Sequence, residues 1–324
     1  GAGRPPMKMS MRSLRLLPRL IRFVVQKWNF ARTFEIDFPQ LKREAHAFPL
    51  DPAVELAEFQ LQAAIDEIIA LNRKITYFTV VSMLLLQAYH CLLLSQLKRM
   101  GIPFDQFDLT HGLEGLSGYD PGESLAQLHE SYLALDEKTR HLVESGDYPA
   151  LLKINGHSAF QTQLIEFFTC FGHLSDTTSN FSSVPWRENP GMILRLIVDY
   201  QKPQENLQRI TYPDLPNKNW ALKLFYQRSR TFRLYREMSS SLYTYTLMLA
   251  RAYYLRIADK LVARGALAER EGIFYLYEPE IRSYLAGDLS AEQILKLTEQ
   301  RKTDMEHCRE AILPEVIFGE AVPL

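Results

Sequence analysis

The sequence has little cysteine. Cys91, Cys170 and Cys308 are the only three in 324 residues, and they stand far apart. So sparse and odd a set argues against a disulfide framework and for a reducing compartment, which makes a cytoplasmic location the expectation. Glycine is also scarce at 15 residues, most of them where helices should end. No G-x-x-x-x-G-K-[ST] or G-x-G-x-x-G run is present, so none of the common phosphate cradles is written here. H-E-x-x-H, C-x-x-C and G-x-S-x-G are missing as well. Neither sign of charge dominates. A net charge of −1 leaves no basic footprint for nucleic acid, and 47% hydrophobic residues give ample material for a core. Alternating strand-like runs are few, and no internal repeat recurs at a fixed period.

What is present is helical spacing. Val54, Leu56, Ala57, Leu61, Ala64, Ile65, Ile68 and Ile69 follow a helical period, with Asp51 as the expected N-cap and Pro52 as the first helical residue. A second helix is expected over 76–100, stopped by Gly101 and Pro103. Asp120 and Pro121 should start a helix that runs to Gly146. Residues 158–173 read as a helix ending near Gly172, and 191–203 as another. A polar, proline-containing loop over 202–216 leads into one long helix or a kinked pair ended by Gly265. A short extended piece and a helix follow, then a last helix capped by Ser290. The expectation is a mainly α fold, an irregular multi-helix bundle with few or no short strands. Residues 1–6 read as a cloning scar or a disordered end. Residues 7–324 read as a single helical domain, with subdomains at 7–200 and 217–324.

Two segments raise the question of a membrane. Residues 7–28 carry Lys8, Arg12, Arg15, Arg19, Arg22 and Lys27 and no acidic residue, with Leu16, Leu20, Phe23 and Val24 on another helical face. This pattern suits a packed helix with a basic outer face, a membrane-surface binder or a transit peptide; the packed helix is the favoured reading. Pro18 should bend it or mark a restart. Residues 76–94 are long enough to span a bilayer, but Ser82, Gln87 and His90 near the middle favour a central helix of a soluble bundle.

The polar chemistry concentrates in 171–191, "FGHLSDTTSNFSSVPWRENPG". Glu166, Cys170 and His173 fall at steps of four and three, and Asp176 follows three later. Zinc accepts all these ligand types, but the spacing needs a regular helix through Gly172 and has no second ligand cluster behind it. His173 beside Asp176 also suits an oriented imidazole for acid–base work. The favoured alternative is structural: His173 ends a helix, and Asp176 with the following hydroxyls builds a turn. Arg187 and Glu188 suit a loop pinned by ion pairs. Arg228, Arg230, Arg233 and Arg236, with Glu237, lie on the long helix as a solvated charged face or as binders of phosphate or carboxylate.

Taken in order, "DLTHGLEGLSGYDPGESLAQL", "FFTCFGHLSDTTSNFSSVPWRENPGMIL", "RTFRLYREMSSSLYTYTLMLARAYYLRIADKLVARGALAEREGIFYLYEPEI" and "LPEVIFGEAVP" resemble the helical middle region of phosphoenolpyruvate synthase-like phosphotransferases, the group that includes rifampin phosphotransferase. The likeness runs from about residue 12 to the C-terminus, and "LVARGALAEREGIFYLYEPEI" carries it furthest. It implies an ATP-grasp domain before this region and a swivelling phosphohistidine domain after it, in cis or in trans. It implies chemistry in which ATP phosphorylates that histidine, the phosphate passes to an acceptor, and AMP and phosphate are released; ATP and magnesium belong to that whole enzyme. By this likeness the chain starts where the ATP-grasp domain ends and stops before the histidine domain. The family's arginine after "G-H" is replaced by Leu174, so no role of that arginine carries over. His173, Trp186, Arg187, Glu188, Arg236 and Glu237 match positions of the pattern.

The expectation is therefore a domain that binds an acceptor and docks partner domains, with no catalytic residue of its own and no phosphotransfer by itself. His173, Asp176, Arg187, Glu188, Arg236 and Glu237 are expected to bind substrate or organise the loop. With 18 Phe, 16 Tyr and 3 Trp, a bulky, partly apolar acceptor fits better than pyruvate. The alternatives are a non-catalytic helical module that binds a membrane surface or a partner, and a helical metalloenzyme using Glu166, Cys170 and His173.

Overall fold

The computed structural model describes residues 17–110, 112–113, 115–154, 159–177, 180, 182–201, 210–215 and 219–309. It is a mainly α, multi-helix protein with no strand among the described residues; an isolated bridge joins Phe107 to Ile210. In chain order the α-helices are α1 (Leu17–Gln26), α2 (Phe30–Ala47), α3 (Glu58–Arg99), α4 (Pro121–Leu133), α5 (Glu137–Ser145), α6 (Tyr148–Leu152), α7 (Ala159–Phe171), α8 (Pro190–Val198), α9 (Trp220–Ala263), α10 (Glu278–Ala286) and α11 (Ala291–Arg309). Two compact units result. One takes the described residues up to Pro49 with Glu67–Leu249, and the other takes Leu50–Asp66 with the described residues from Ala250 onward. The division therefore falls inside the long helices α3 and α9, whereas the sequence pattern placed a subdomain break at 200–217.

In the first unit, α2 buries Phe30, Phe34, Phe38, Leu41 and Ala45, a stripe at helical spacing. These residues pack with Leu71, Ile75, Phe78 and Leu85 of α3 and with Phe232, Tyr235 and Leu242 of α9. Phe34 lies between two parallel rings, Phe38 at 4.4 Å and Tyr235 at 4.0 Å. Such pairs add roughly 0.5–1.5 kcal/mol each beyond the area they bury. Polar groups tie α3 to α9: the Asn72 side chain donates to Thr246 Oγ1 at 2.7 Å. A second cluster, built on Leu128, Val143, Phe160, Phe167 and Ile193, joins α4, α5, α7 and α8. Among the described residues α3 is the helix long and apolar enough to cross a membrane by length and composition. Within this unit one face of it is core.

Local signals set several ends as expected. The Asp120 side chain accepts from Gly122 N–H, and Pro121 opens α4. Gly146 closes α5 with φ at 74°, and Gly265 follows α9 with φ at 71°. At α11, Ser290 Oγ accepts from Gln293 N–H, and the Gln293 side chain accepts from Ser290 N–H.

Other expectations are corrected. The helix expected between Pro121 and Gly146 is two helices, because the Asp136 carboxylate accepts from Thr139 N–H and starts a new one. Asp51 and Pro52 open no helix: α3 starts at Glu58 and runs unbroken through the boundary expected near 76. In the second unit Asp51 instead pairs with Arg256 at 2.7 Å, and Pro52 C=O accepts from Arg256 Nε at 2.8 Å. The extended piece expected after Gly265 is a 3-10 turn, Arg270–Tyr275. Burial explains it: Ile273 sits in the core of that unit, and the Arg251 guanidinium stacks 4.9 Å above Phe274. The tail "PEVIFGEAVPL", Lys8, Arg12 and Arg15, and most of the loop expected at 202–216 lie outside the described residues.

Candidate functional site

The first unit holds a cavity of about 350 Å³ among α2, α7, α9 and the turn at Gly118–Tyr119. Its apolar wall is Phe38, Met238, Leu242 and Tyr245; its polar groups are Lys42, His46, Thr169, Cys170, His173 and Ser241. Helical geometry positions them. Met238, Ser241, Leu242 and Tyr245 are three or four apart along α9, so they line one face. Lys42 and His46 do the same on α2.

His173 is the buried centre of this site, 8% exposed. Its Nε2 bonds Ser241 Oγ at 3.0 Å, and its ring meets the edge of Tyr245 at 5.8 Å. Burial drives its pKa down to about 4, and the charges of His46 and Arg187 push the same way. At neutral pH the imidazole is uncharged and acts as one donor and one acceptor. The His46 ring lies tilted 4.4 Å from that of Tyr245, and its pKa is also lowered, by burial first and then by Lys42.

Backbone hydrogen bonds close the segment between Gly172 and Arg187. Arg187 N–H donates to Gly172 C=O at 3.0 Å, and Trp186 N–H to Leu174 C=O at 2.8 Å. Trp186 stacks on Phe167 at 6.0 Å, and Leu174 packs into the same apolar cluster. These contacts hold His173 just past the end of α7, pointing at α9.

The structure brings some of the expected residues together and separates others. His173 and Cys170 line the cavity, and the Arg187 charge bears on His173, Tyr148 and Tyr245. Asp176 and Glu188 are exposed on the connector and do not line the cavity. Arg236 and Glu237 form an ion pair with each other on α9, and neither lines the cavity. Glu166, Cys170 and His173 do not assemble: α7 ends at Phe171, Glu166 is exposed, and no group of three or more His, Cys, Asp or Glu able to hold a metal occurs among the described residues.

Sequence reasoning missed Ser241, Tyr245, His46 and Lys42. One signal was available. The hydroxyl run over 239–246 is a poor choice for a helix interior. Ser239, Thr244 and Thr246 spend their hydroxyls on helix carbonyls of α9, whereas Ser241 meets His173.

No family model matches this chain, and no curated protein matches it.

Proposed function

We propose that the first unit is the acceptor-binding domain of an ATP-dependent phosphotransferase whose ATP-grasp and phosphohistidine domains act with it in cis or in trans. The observation that carries the binding role is the cavity. It is concave, its wall is largely aromatic and apolar, and a few polar side chains share the lining, the usual make-up of a small-molecule site. The phosphotransfer role rests on the ordered likeness of the four segments described above.

In this reading the acceptor's apolar body lies on Phe38, Met238 and Tyr245. Its hydroxyl meets the Ser241–His173 pair, which orients it. A neutral imidazole with a pKa near 4 is a positioning group at pH 7 rather than a store for the acceptor's proton. Lys42 and the Arg187 charge supply positive potential for an incoming phosphoryl group. The acceptor is a bulky, partly apolar molecule bearing a hydroxyl. ATP and magnesium belong to the partner domains, and no residue of this chain is assigned to them.

Reconstitution tests this reading. The chain is mixed with an ATP-grasp domain and a phosphohistidine domain, and AMP is measured against a panel of hydroxylated polycyclic compounds. AMP should form only when all three proteins and an acceptor are present, and the chain alone should form none.

A second reading, a helical module that binds a membrane surface, is favoured by one observation. Val25, Trp28, Tyr77, Val80, Met83 and Leu84 are all more than 40% exposed. Lys27 donates to Tyr77 Oη at 3.1 Å, which joins the turn after α1 to the exposed stripe of α3, and Arg22 lies exposed on α1. Aromatic, apolar and basic groups together suit an anionic interface. Co-sedimentation with phosphatidylserine and with phosphatidylcholine vesicles decides it. The acceptor-domain reading predicts no binding to either. Binding to the anionic vesicles, lost on changing Arg15, Arg19 and Arg22 to Gln, would favour the membrane module.

A further inference from the structure

The first unit also carries an open groove of about 970 Å³ that shares no lining residue with the His173 cavity. Leu224, Arg228, Thr231 and Tyr235 are three or four apart along α9, so one face of that helix lines it. Glu35 of α2 lines it as well. Its charged groups are held in place. The half-buried Arg228 guanidinium lies over the Trp28 ring at 5.4 Å. Arg230 donates to Tyr226 Oη and to Gly112 C=O, both at 2.7 Å. Glu35 Oε1 accepts from Tyr235 Oη at 2.6 Å. The charges of Glu35 and Arg228 both bear on the Tyr235 hydroxyl. No ion pair joins Arg228 to Glu35 or to another described carboxylate, and its N–H groups make no hydrogen bond with a described residue.

A guanidinium stacked on an aromatic ring has its plane set by that ring, while its N–H edge stays available. Less side-chain freedom is then lost when a ligand binds. A carboxylate is planar and meets such an edge with two parallel hydrogen bonds. Glu35 adds a selection. Its negative charge in the same groove opposes a ligand that brings two negative charges, so a monoanion suits the groove better than a phosphate monoester. Leu224 and Leu234 supply apolar surface for the rest of the ligand. We propose that this groove is a binding site for a small carboxylate with an aromatic or apolar body, gripped by Arg228 at its carboxylate and covered along its body by Leu224 and Leu234. The proposal does not rest on the acceptor role of the His173 cavity.

Titration calorimetry of the full chain at pH 7 with naphthoate, naphthamide and naphthyl phosphate tests this. Naphthoate should bind saturably, and Arg228→Gln should weaken it about tenfold, the scale of one hydrogen-bonded charge. Arg228→Lys keeps the charge without the fork and should recover only part of that loss. The neutral amide should not distinguish wild type from Arg228→Gln; an equal loss for both ligands would make Arg228 structural and overturn the proposal. Naphthyl phosphate, largely dianionic at this pH, should bind more weakly than naphthoate. Tighter, Arg228-dependent binding of the phosphate would overturn the assignment to carboxylates. In the wild-type chain the Arg228 Nε–H resonance should shift on addition of naphthoate, a readout that needs no variant to fold. An unmoved resonance, or an unchanged affinity for naphthoate in Arg228→Gln, would also overturn the proposal.

Discussion

Gly172→Ala should destabilise the first unit by about 3 kcal/mol, at the upper end of what overpacking usually costs, and lower its Tm by roughly 6–12 °C for a unit of this size. A Cβ built at Gly172 would stand 2.3 Å from the Phe168 carbonyl oxygen and 3.2 Å from Arg187 Cβ. The first neighbour is backbone and cannot swing aside. Relief requires moving the end of α7, and that end is tied down. Gly172 N–H donates to the same Phe168 oxygen at 3.0 Å, and Gly172 C=O accepts from Arg187. The next residue is His173, so the shift also pulls the imidazole from Ser241. Denaturant and thermal melts of the variant check the cost, and a Tm within about 2 °C of wild type, under 1 kcal/mol for this size, would show that the segment is looser than described.

The second large effect is an acid loss of stability carried by His173. Burial keeps its folded pKa at about 4, below the ordinary 6.5. Above pH 6.5 both the folded and unfolded imidazoles are neutral, and the group adds no pH dependence. Between pH 6.5 and 4 the unfolded chain takes up a proton that the folded chain refuses. Stability therefore falls as pH falls through that window, by about 1.4 kcal/mol per pH unit and roughly 3 kcal/mol in total. His90 contributes in the same direction but less, because it is only partly buried and water screens its charge. Urea melts at pH 7, 6, 5 and 4 should show a shallower decline for His173→Gln, which keeps a partner for Ser241 and does not titrate. Superimposable pH profiles would contradict the burial of His173. Carboxylates held below their usual range, such as Glu280 beside Arg301, add to acid unfolding in both proteins and so cancel in the comparison.

Features legible in the sequence were those decided within one turn of chain. Asp120 with Pro121, Gly146 and Ser290 with Gln293 act on neighbours two to four residues away, so their meaning travels with the sequence. Asp51 with Pro52 has the same local form and a different outcome, because Arg256, more than 200 residues later, takes both the carboxylate and the proline carbonyl. The 3-10 turn at Arg270–Tyr275 was hidden for a similar reason: its apolar run reads as extended until the burial of Ile273 is known.

The candidate site divides along the same line. His173 stood out as a histidine at a helix end, but its partner Ser241 lies 68 residues further on, inside a hydroxyl run that does not say which of its members meets the imidazole. Asp176 and Glu188 attracted attention by residue type, and in the fold they are exposed parts of the connector. Arg236 and Glu237 neutralise each other, while Arg233, one turn away, is left with an unsatisfied nitrogen. Spacing alone cannot rank four arginines on one helix; only the elements packed against them can.

The most direct test of the acceptor-domain account is AMP release by the chain together with ATP-grasp and phosphohistidine domains, compared between wild type and Thr169→Trp. Thr169 is exposed at the rim of the cavity, so tryptophan there blocks the opening without entering the core. The account predicts acceptor-dependent AMP from the wild-type mixture and at least a tenfold fall in the variant. AMP formed by the chain alone, or acceptor-dependent AMP at the same rate in Thr169→Trp, would contradict it.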